Sequence, residues 1–380
     1  MEDLELYLQP LDFSVFNGRK WSSAKYSLGN LLEKNSGKLP IDKAQIVIIG
    51  IEEDRNAVVK GSSAAPNEIR KYLYDLNRID PRFKILDLGN IKAGRKIEDT
   101  YFALGDILRE LQSRKIVTVV IGGSQDLTFG ISKAFTDGFS LVNIDPRIDV
   151  EKGAKSVNSD NYLNLLFRNK NILCNQTTFA YQNYFVDNAD IDYVSTFGAE
   201  VKRLGKLRYN MEEIEPYMRD ADVVSFDLNS VRQMEAPGQY FSSPNGLYSE
   251  EACQIARYAG LGDNVKVGGF FNLIPELDQN DLSAKLMAQI IWHFIEGFHC
   301  RIVENPLDKS DGFHEYIVHI EDVDALEIRF YRSRKTDRWW LRISDERMVA
   351  CSPNDYAHAA QMEIPDRWWK NMPKFREKTD

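Results

Sequence analysis

Eight short apolar runs recur along the first 270 residues: Ala44–Ile51, Lys84–Leu88, Ile116–Ile121, Ser140–Ile144, Asn171–Cys174, Tyr193–Phe197, Asp222–Phe226 and Asn264–Gly268. Each is rich in β-branched residues and apolar on both parities. A strand with one wet face would alternate, so the pattern predicts strands buried on both faces of a parallel sheet. Between several runs the apolar residues return at helical spacing instead, over Pro66–Leu73, Phe102–Leu111, Leu127–Phe135, Glu250–Tyr258 and Ser283–Phe298. Pro66 stands near a helix start, where its missing N–H leaves no bond unmade. Strands alternating with helices imply right-handed crossovers and an open α/β sheet.

This rhythm is bounded on both sides. Residues 1–40 are irregular, with Pro10 and a scatter of Phe13, Phe16, Trp21 and Tyr26, and read as an N-terminal wrap. The α/β body is assigned to 41–300. Beyond it, Tyr316–Ile320, Ala325–Tyr331 and Arg338–Ile343 lie close together with no helical pattern between them. They predict an antiparallel meander, and 301–380 is read as a C-terminal β-rich extension holding Trp339, Trp340, Trp368 and Trp369.

Composition changes the picture only by exclusion. The chain has 380 residues, 43% of them hydrophobic, and a net charge of −9, which rules out a disordered polymer. An acidic balance also argues against a protein built to hold nucleic acid. The first residues are acidic (Glu2, Asp3, Glu5), unlike a secretory leader. The apolar stretch Leu286–Ile295 falls short of the roughly 20 residues a membrane-spanning helix needs. Cys174, Cys253, Cys300 and Cys351 are widely spaced and predict packed thiols. The expectation is a cytoplasmic protein without membrane insertion.

Candidate chemistry sits where strands should end. Gly122-Gly123-Ser124-Gln125-Asp126 follows one strand, Asp145-Pro146-Arg147-Ile148-Asp149 the next, and Asp227-Leu228-Asn229 a later one, with Ala236-Pro237-Gly238 beyond it. The C-terminal ends of parallel strands converge on the ligand crevice of such folds. Two carboxylates at i, i+4 with a third from another strand suit a hard metal ion.

These segments, in this order, resemble the arginase, agmatinase and formimidoylglutamase family, the ureohydrolases. The resemblance extends through Gly61–Pro66 with Ile69-Arg70, Asp87-Leu88-Gly89 and Asn272–Asp278, covering roughly residues 40 to 298. It implies an arginase-type three-layer fold around an eight-stranded, mostly parallel sheet. It also implies hydrolysis of a non-peptide C–N bond in a linear amidine by water bridging two Mn²⁺ ions.

The departures bear directly on that chemistry. Gln125 stands where the family has a metal-binding histidine, Arg147 replaces a second, and Asn229 replaces an aspartate. Only Asp145, Asp149 and Asp227 remain of six ligand positions, and the substrate-side glutamate is Asn272. No histidine precedes His293. Three carboxylates beside a permanently charged arginine make a poor host for two dications. No cofactor and no catalytic or metal residue is therefore expected. Arg147 is expected to fill the vacated place by bridging the three acids, which could otherwise hold one Mg²⁺ or Ca²⁺.

In the tail, Arg329, Arg332, Arg334, Lys335, Arg338 and Arg342 stand among Trp339 and Trp340. Arg and Trp dominate protein interfaces and also anchor cores. Arg338, Trp339, Trp340, Trp368 and Trp369 are the candidate partner-binding residues, with packing onto the body as the alternative. Three functions stay open. The favoured one is an inactive homologue (a pseudoenzyme) that binds or assembles with another protein of unknown identity, with a homo-oligomer possible. The others are a C–N hydrolase with a rearranged site and a small-molecule sensor.

Overall fold

The structure, a computed structural model, describes residues 6–16, 25–34, 41–168, 173–308, 310–320 and 326–372. Trp21, residues 171–172 and Ala325 lie outside these. Eight strands form the body of the main sheet: β1 (Ile46–Ile51), β2 (Ile85–Ile91), β3 (Val117–Ile121), β4 (Phe139–Ile144), β5 (Leu173–Tyr181), β6 (Glu200–Arg203), β7 (Val223–Asp227) and β8 (Val267–Phe271). They are parallel and lie in the order 2-1-3-8-7-4-5-6. Two dipeptides of the N-terminal segment extend the β2 edge: Leu8–Gln9 pairs antiparallel and Glu33–Lys34 parallel.

The double parity of the runs has a direct meaning. In β1, Ile46 and Ile48 enter one core while Val47, Ile49 and Ile51 enter the other. Helices Ala65–Leu73, Ser249–Leu261 and Leu282–His299 cover the first face, and Ile97–Ser113, Leu127–Ser132 and Leu163–Arg168 the second. This is the three-layer architecture expected from the pattern. Among the described residues no helix is long and apolar enough to cross a membrane.

One strand assignment fails. Tyr193–Phe197 overlaps the C-terminal half of a helix, Asn188–Ser195, whose N-cap Asp187 accepts from the Ala189 N–H. The strand of that region is the polar Glu200–Arg203, at the border of the sheet. A border strand buries less surface, so it carries no apolar run to be recognised by.

The C-terminal part forms a second, antiparallel sheet of β9 (Phe313–Ile320), β10 (Leu326–Ser333), β11 (Trp339–Ser344) and β12 (Arg347–Cys351), in chain order. Two short helices follow, Pro353–Ala360 and Asp366–Asn371. The sheet has its own core around Ile328, Phe330, Leu341 and Trp368.

Candidate functional site at the strand ends

The central strands β3, β8, β7 and β4 deliver their C-terminal ends to one crevice. Gly122 and Gly123 turn the chain sharply after β3, with φ of 85° and 72°. A Cβ on Gly122 would meet Pro66 at 2.5 Å, and one on Gly123 would meet the Glu53 carbonyl oxygen at 2.5 Å. Only glycine allows both the left-handed backbone and this close approach. The turn sets Gln125 pointing inward, and its backbone N–H donates to Asn272 Oδ1 at 3.1 Å.

Gln125 fills the middle of the site. Its neighbours fix the amide orientation: Nε2 donates to Asp145 Oδ2 (3.1 Å) and to Asp227 Oδ2 (3.2 Å). Oε1 accepts from Tyr162 OH and Ser225 Oγ, each at 3.3 Å. Asn229 donates to Asp227 twice, through its backbone N–H at 2.8 Å and its Nδ2 at 3.1 Å. Its own Oδ1 accepts from the Phe241 N–H.

Arg147 does not bridge the three acids as the sequence led us to expect. Its guanidinium pairs with Asp160 at 2.8 Å, donates to Tyr240 OH at 2.9 Å and reaches Asp149 only at 3.9 Å. It lies 4.4 Å over the Phe241 ring and keeps 20% of its side-chain surface exposed. Tyr240 OH donates to Asp160 Oδ1 at 2.6 Å, closing a ring of three side chains from two loops. The reason is geometric: Gln125 already occupies the space between Asp145 and Asp227, so the longer side chain lies one layer above. Asp160, Tyr240, Phe241 and Tyr162 were missed by motif reading. Asp160 and Tyr162 sit in a loop without pattern, and Tyr240 and Phe241 follow the Ala236-Pro237-Gly238 segment after Gln239.

Electrostatics match this arrangement. Burial pushes Asp145 above the usual carboxylate range, with Arg147 pulling the other way. Burial and then the Asp145 charge push Asp149 well up, and a hydrogen bond between the two carboxyls raises Asp149 and lowers Asp145. Burial and Asp145 raise Asp227 to about 8. Asp160 differs: burial raises it, but its bond and charge interaction with Arg147 outweigh this and hold it low. The loop that carries Asp160 is tied to the loop after β1, where Ser159 N–H donates to Asn56 O at 3.0 Å and Val58 N–H to Ser159 Oγ at 3.2 Å.

This set does not fit a pair of manganese ions. The Gln125 amide hydrogens point at the very carboxylate oxygens a metal would share, and a permanent cation stands beside Asp149. Asn272, at the end of β8 with a left-handed φ of 67°, supports Gln125.

The tail residues resolve differently from the partner-facing expectation. Trp339, Trp340 and Trp368 are only 8%, 5% and 6% exposed, and Trp369 alone of the four is open, at 46%. Arg338 turns inward to Glu215 (3.0 Å) and Asp263 (3.2 Å) of the body. Arg219 of the body donates to the carbonyls of Trp339 (2.9 Å) and Cys351 (3.2 Å), under the Trp340 ring. Arg367 reaches back to Asp220. These side chains fasten the second sheet to the first, and their burial removes them as a partner-facing patch. Arg329, Arg332 and Arg342 pair with acids of their own sheet.

Comparison with known proteins agrees with this fold. Formimidoylglutamase of Lysinibacillus sphaericus is 24% identical over 278 residues, covering 66% of this chain and 84% of that protein. That of Staphylococcus haemolyticus is 21% identical over 262 residues, covering 65% and 82%. The solved Trypanosoma cruzi formiminoglutamase with Mn²⁺ superposes with a TM-score of 0.64 at 22% identity, over 70% of this chain and 97% of that one. Formimidoylglutamase from Bacillus subtilis gives a TM-score of 0.66 at 19% identity, over 73% and 93%. The arginase family model matches residues 44–296, and the chain belongs to that family.

Proposed function

We propose that this chain is a formimidoylglutamase-like arginase-family protein whose crevice does not run metal-dependent hydrolysis and whose folded surface serves binding or assembly with another protein. The observation that carries this reading is the Gln125 amide, hydrogen-bonded to Asp145 and Asp227 where a cation would need both oxygens. Arg147 adds a fixed positive charge above it. In this reading the chain holds no resident metal. Purified protein exposed to excess Mn²⁺ should retain well under one ion per chain after dialysis. It should also release no formamide, urea or ammonia from formiminoglutamate, arginine or agmatine. Two tightly held ions, or turnover above background, would overturn it.

A second reading, a C–N hydrolase with a rearranged site, is supported by the three retained acids and by the activity named for the relatives. Turnover that disappears in Asp145→Ala would decide for it.

A further inference from the structure

The second sheet has two borders of different character. At β12 the outward backbone groups are taken: Ala350 N–H donates to Asp220 Oδ1 at 3.2 Å, and its carbonyl accepts from Arg367 Nε at 2.8 Å. At β9 nothing comparable occurs among the described residues. That strand pairs with β10 alone, from Phe313 to Ile320 and with no shift of register.

One bond fixes which backbone groups of β9 are free. Arg334 N–H donates to Gly312 O at 2.9 Å, and this pair extends the register in which His314 faces Arg332. Bonded and non-bonded pairs alternate along an antiparallel ladder. The even-numbered residues of β9 therefore bond β10, and Glu315, Ile317 and His319 turn their N–H and C=O groups outward. Among the described residues no hydrogen bond reaches those groups. The strand also lacks the proline, lysine or bulge that commonly blunts an open edge.

The side chains make this edge complementary to itself. Glu315, Ile317 and His319 share one face and are exposed, Ile317 at 45%. Tyr316 and Val318 share the other and lie half-buried against the core of the second sheet. An antiparallel copy has to match outward residues with outward residues. Centred on Ile317, the pairing sets Ile317 against Ile317, Glu315 against His319 at both ends, and Tyr316 against Val318. Apolar then meets apolar, and an acid meets an imidazole donor. Glu315 Oε1 accepts from Arg329 at 3.1 Å and Tyr331 at 2.7 Å, while its Oε2 accepts from no donor among the described residues. Centring on Glu315 would oppose two carboxylates, and centring on Tyr316 or Val318 would set Ile317 against Glu315 or His319.

We propose that β9 is a self-association edge, at which a second copy of this chain pairs antiparallel about Ile317 and joins the two four-stranded sheets into one continuous sheet. The inference is independent of the strand-end crevice and of whether that crevice is active.

The test uses the full chain in sedimentation velocity over a concentration series, where a reversible monomer–dimer equilibrium is expected. Ile317→Pro removes an N–H that points away from β10, a change an edge strand tolerates. Ile317→Lys sets two like charges opposite each other on the axis. Each variant should weaken dimerisation by roughly tenfold or more, since the proline alone deletes two hydrogen bonds per dimer. Each should also melt where the diluted parent melts. Cysteine substitutions read the register, in a background with the exposed Cys174 and Cys300 changed to serine. Ile317→Cys should form an intermolecular disulfide on mild oxidation, because bonded partners on the axis lie about 5.5 Å apart at Cα. His319→Cys should not, because it meets Glu315 of the other copy. A parent that stays monomeric up to several hundred micromolar, a dimer that both Ile317 variants leave intact, or cross-linking through His319→Cys and not Ile317→Cys would each overturn the proposal.

Discussion

Arg147 Nη1 lies 2.8 Å from Asp160, whereas the same guanidinium is 3.9 Å from Asp149. The cation that replaces a family histidine thus answers first to a loop residue and only second to the retained acids. Asp160→Asn should therefore destabilise the protein by about 1–2 kcal/mol, a value between exposed and fully buried pairs. Adding Arg147→Met to that variant should cost little more, because the two side chains act as a unit. Urea unfolding of the four proteins of the cycle measures this; additive losses would refute the pairing.

Gln125 gives a sharper test of what occupies the crevice. Gln125→Glu places a further carboxylate against Asp145 and Asp227 and removes the donor they share. A loss of roughly 3 kcal/mol or more at neutral pH is expected. Mn²⁺ or Mg²⁺ should then raise the melting temperature of the variant and leave that of the unmodified protein unchanged. A variant as stable as its parent, or an equal metal response in both, would rule out the amide as the occupant.

The raised acids make a pH prediction. Asp227 moves from an ordinary 3.8 up to about 8, and Asp145 and Asp149 move in the same direction. The folded state therefore binds more protons than the unfolded chain above about pH 4. The stability these groups contribute is fully present below that point and is lost as pH rises toward about 8. Asp149→Asn keeps a donor toward Asp145 without a titrating proton, so it should flatten the decline. Urea midpoints measured at intervals across that window check the slope, and a parallel curve for the variant would remove Asp149 from the account.

The seam between the sheets makes a mechanical prediction. Arg367 pairs with Asp220, donates to the Ala350 carbonyl at 2.8 Å and covers the Tyr217 ring at 4.2 Å. Arg367→Met should cost about 2 kcal/mol or more. It should also expose the connection between His299 and Phe313 to limited proteolysis, while the parent resists. Equal cleavage of both would show that the seam is held elsewhere.

Sequence pattern gave most of the body because a parallel strand is buried on both faces and must be apolar on both parities. It failed at Tyr193–Phe197, where a β-branched run lies in the last turn of a helix and just beyond it, and the true border strand is polar. In the crevice, Gln125, Asp145, Arg147, Asp149, Asp227, Asn229 and Asn272 were found because each sits at a fixed offset from a strand end. Asp160 is joined to Arg147 only through the fold, with no local spacing to announce it. Arg338, Trp339, Trp340 and Trp368 were ambiguous for a different reason: the residue types that make a hot spot between proteins also make a seam within one. Burial decides between these, and burial is not written in composition.

Both borders of the main sheet are closed by the chain's own extremities. At one, Leu8 and Gln9 pair with Ile91 and Asn90, and Glu33 and Lys34 with Leu86 and Asp87. At the other, the border strand Glu200–Arg203 is short and charged, and Lys370 of the last helix reaches Glu200 at 2.9 Å. Self-recognition by continuing this sheet from one molecule into the next is thereby disfavoured at both borders. Copies of the protein that associate would then meet through helices, loops or the second sheet.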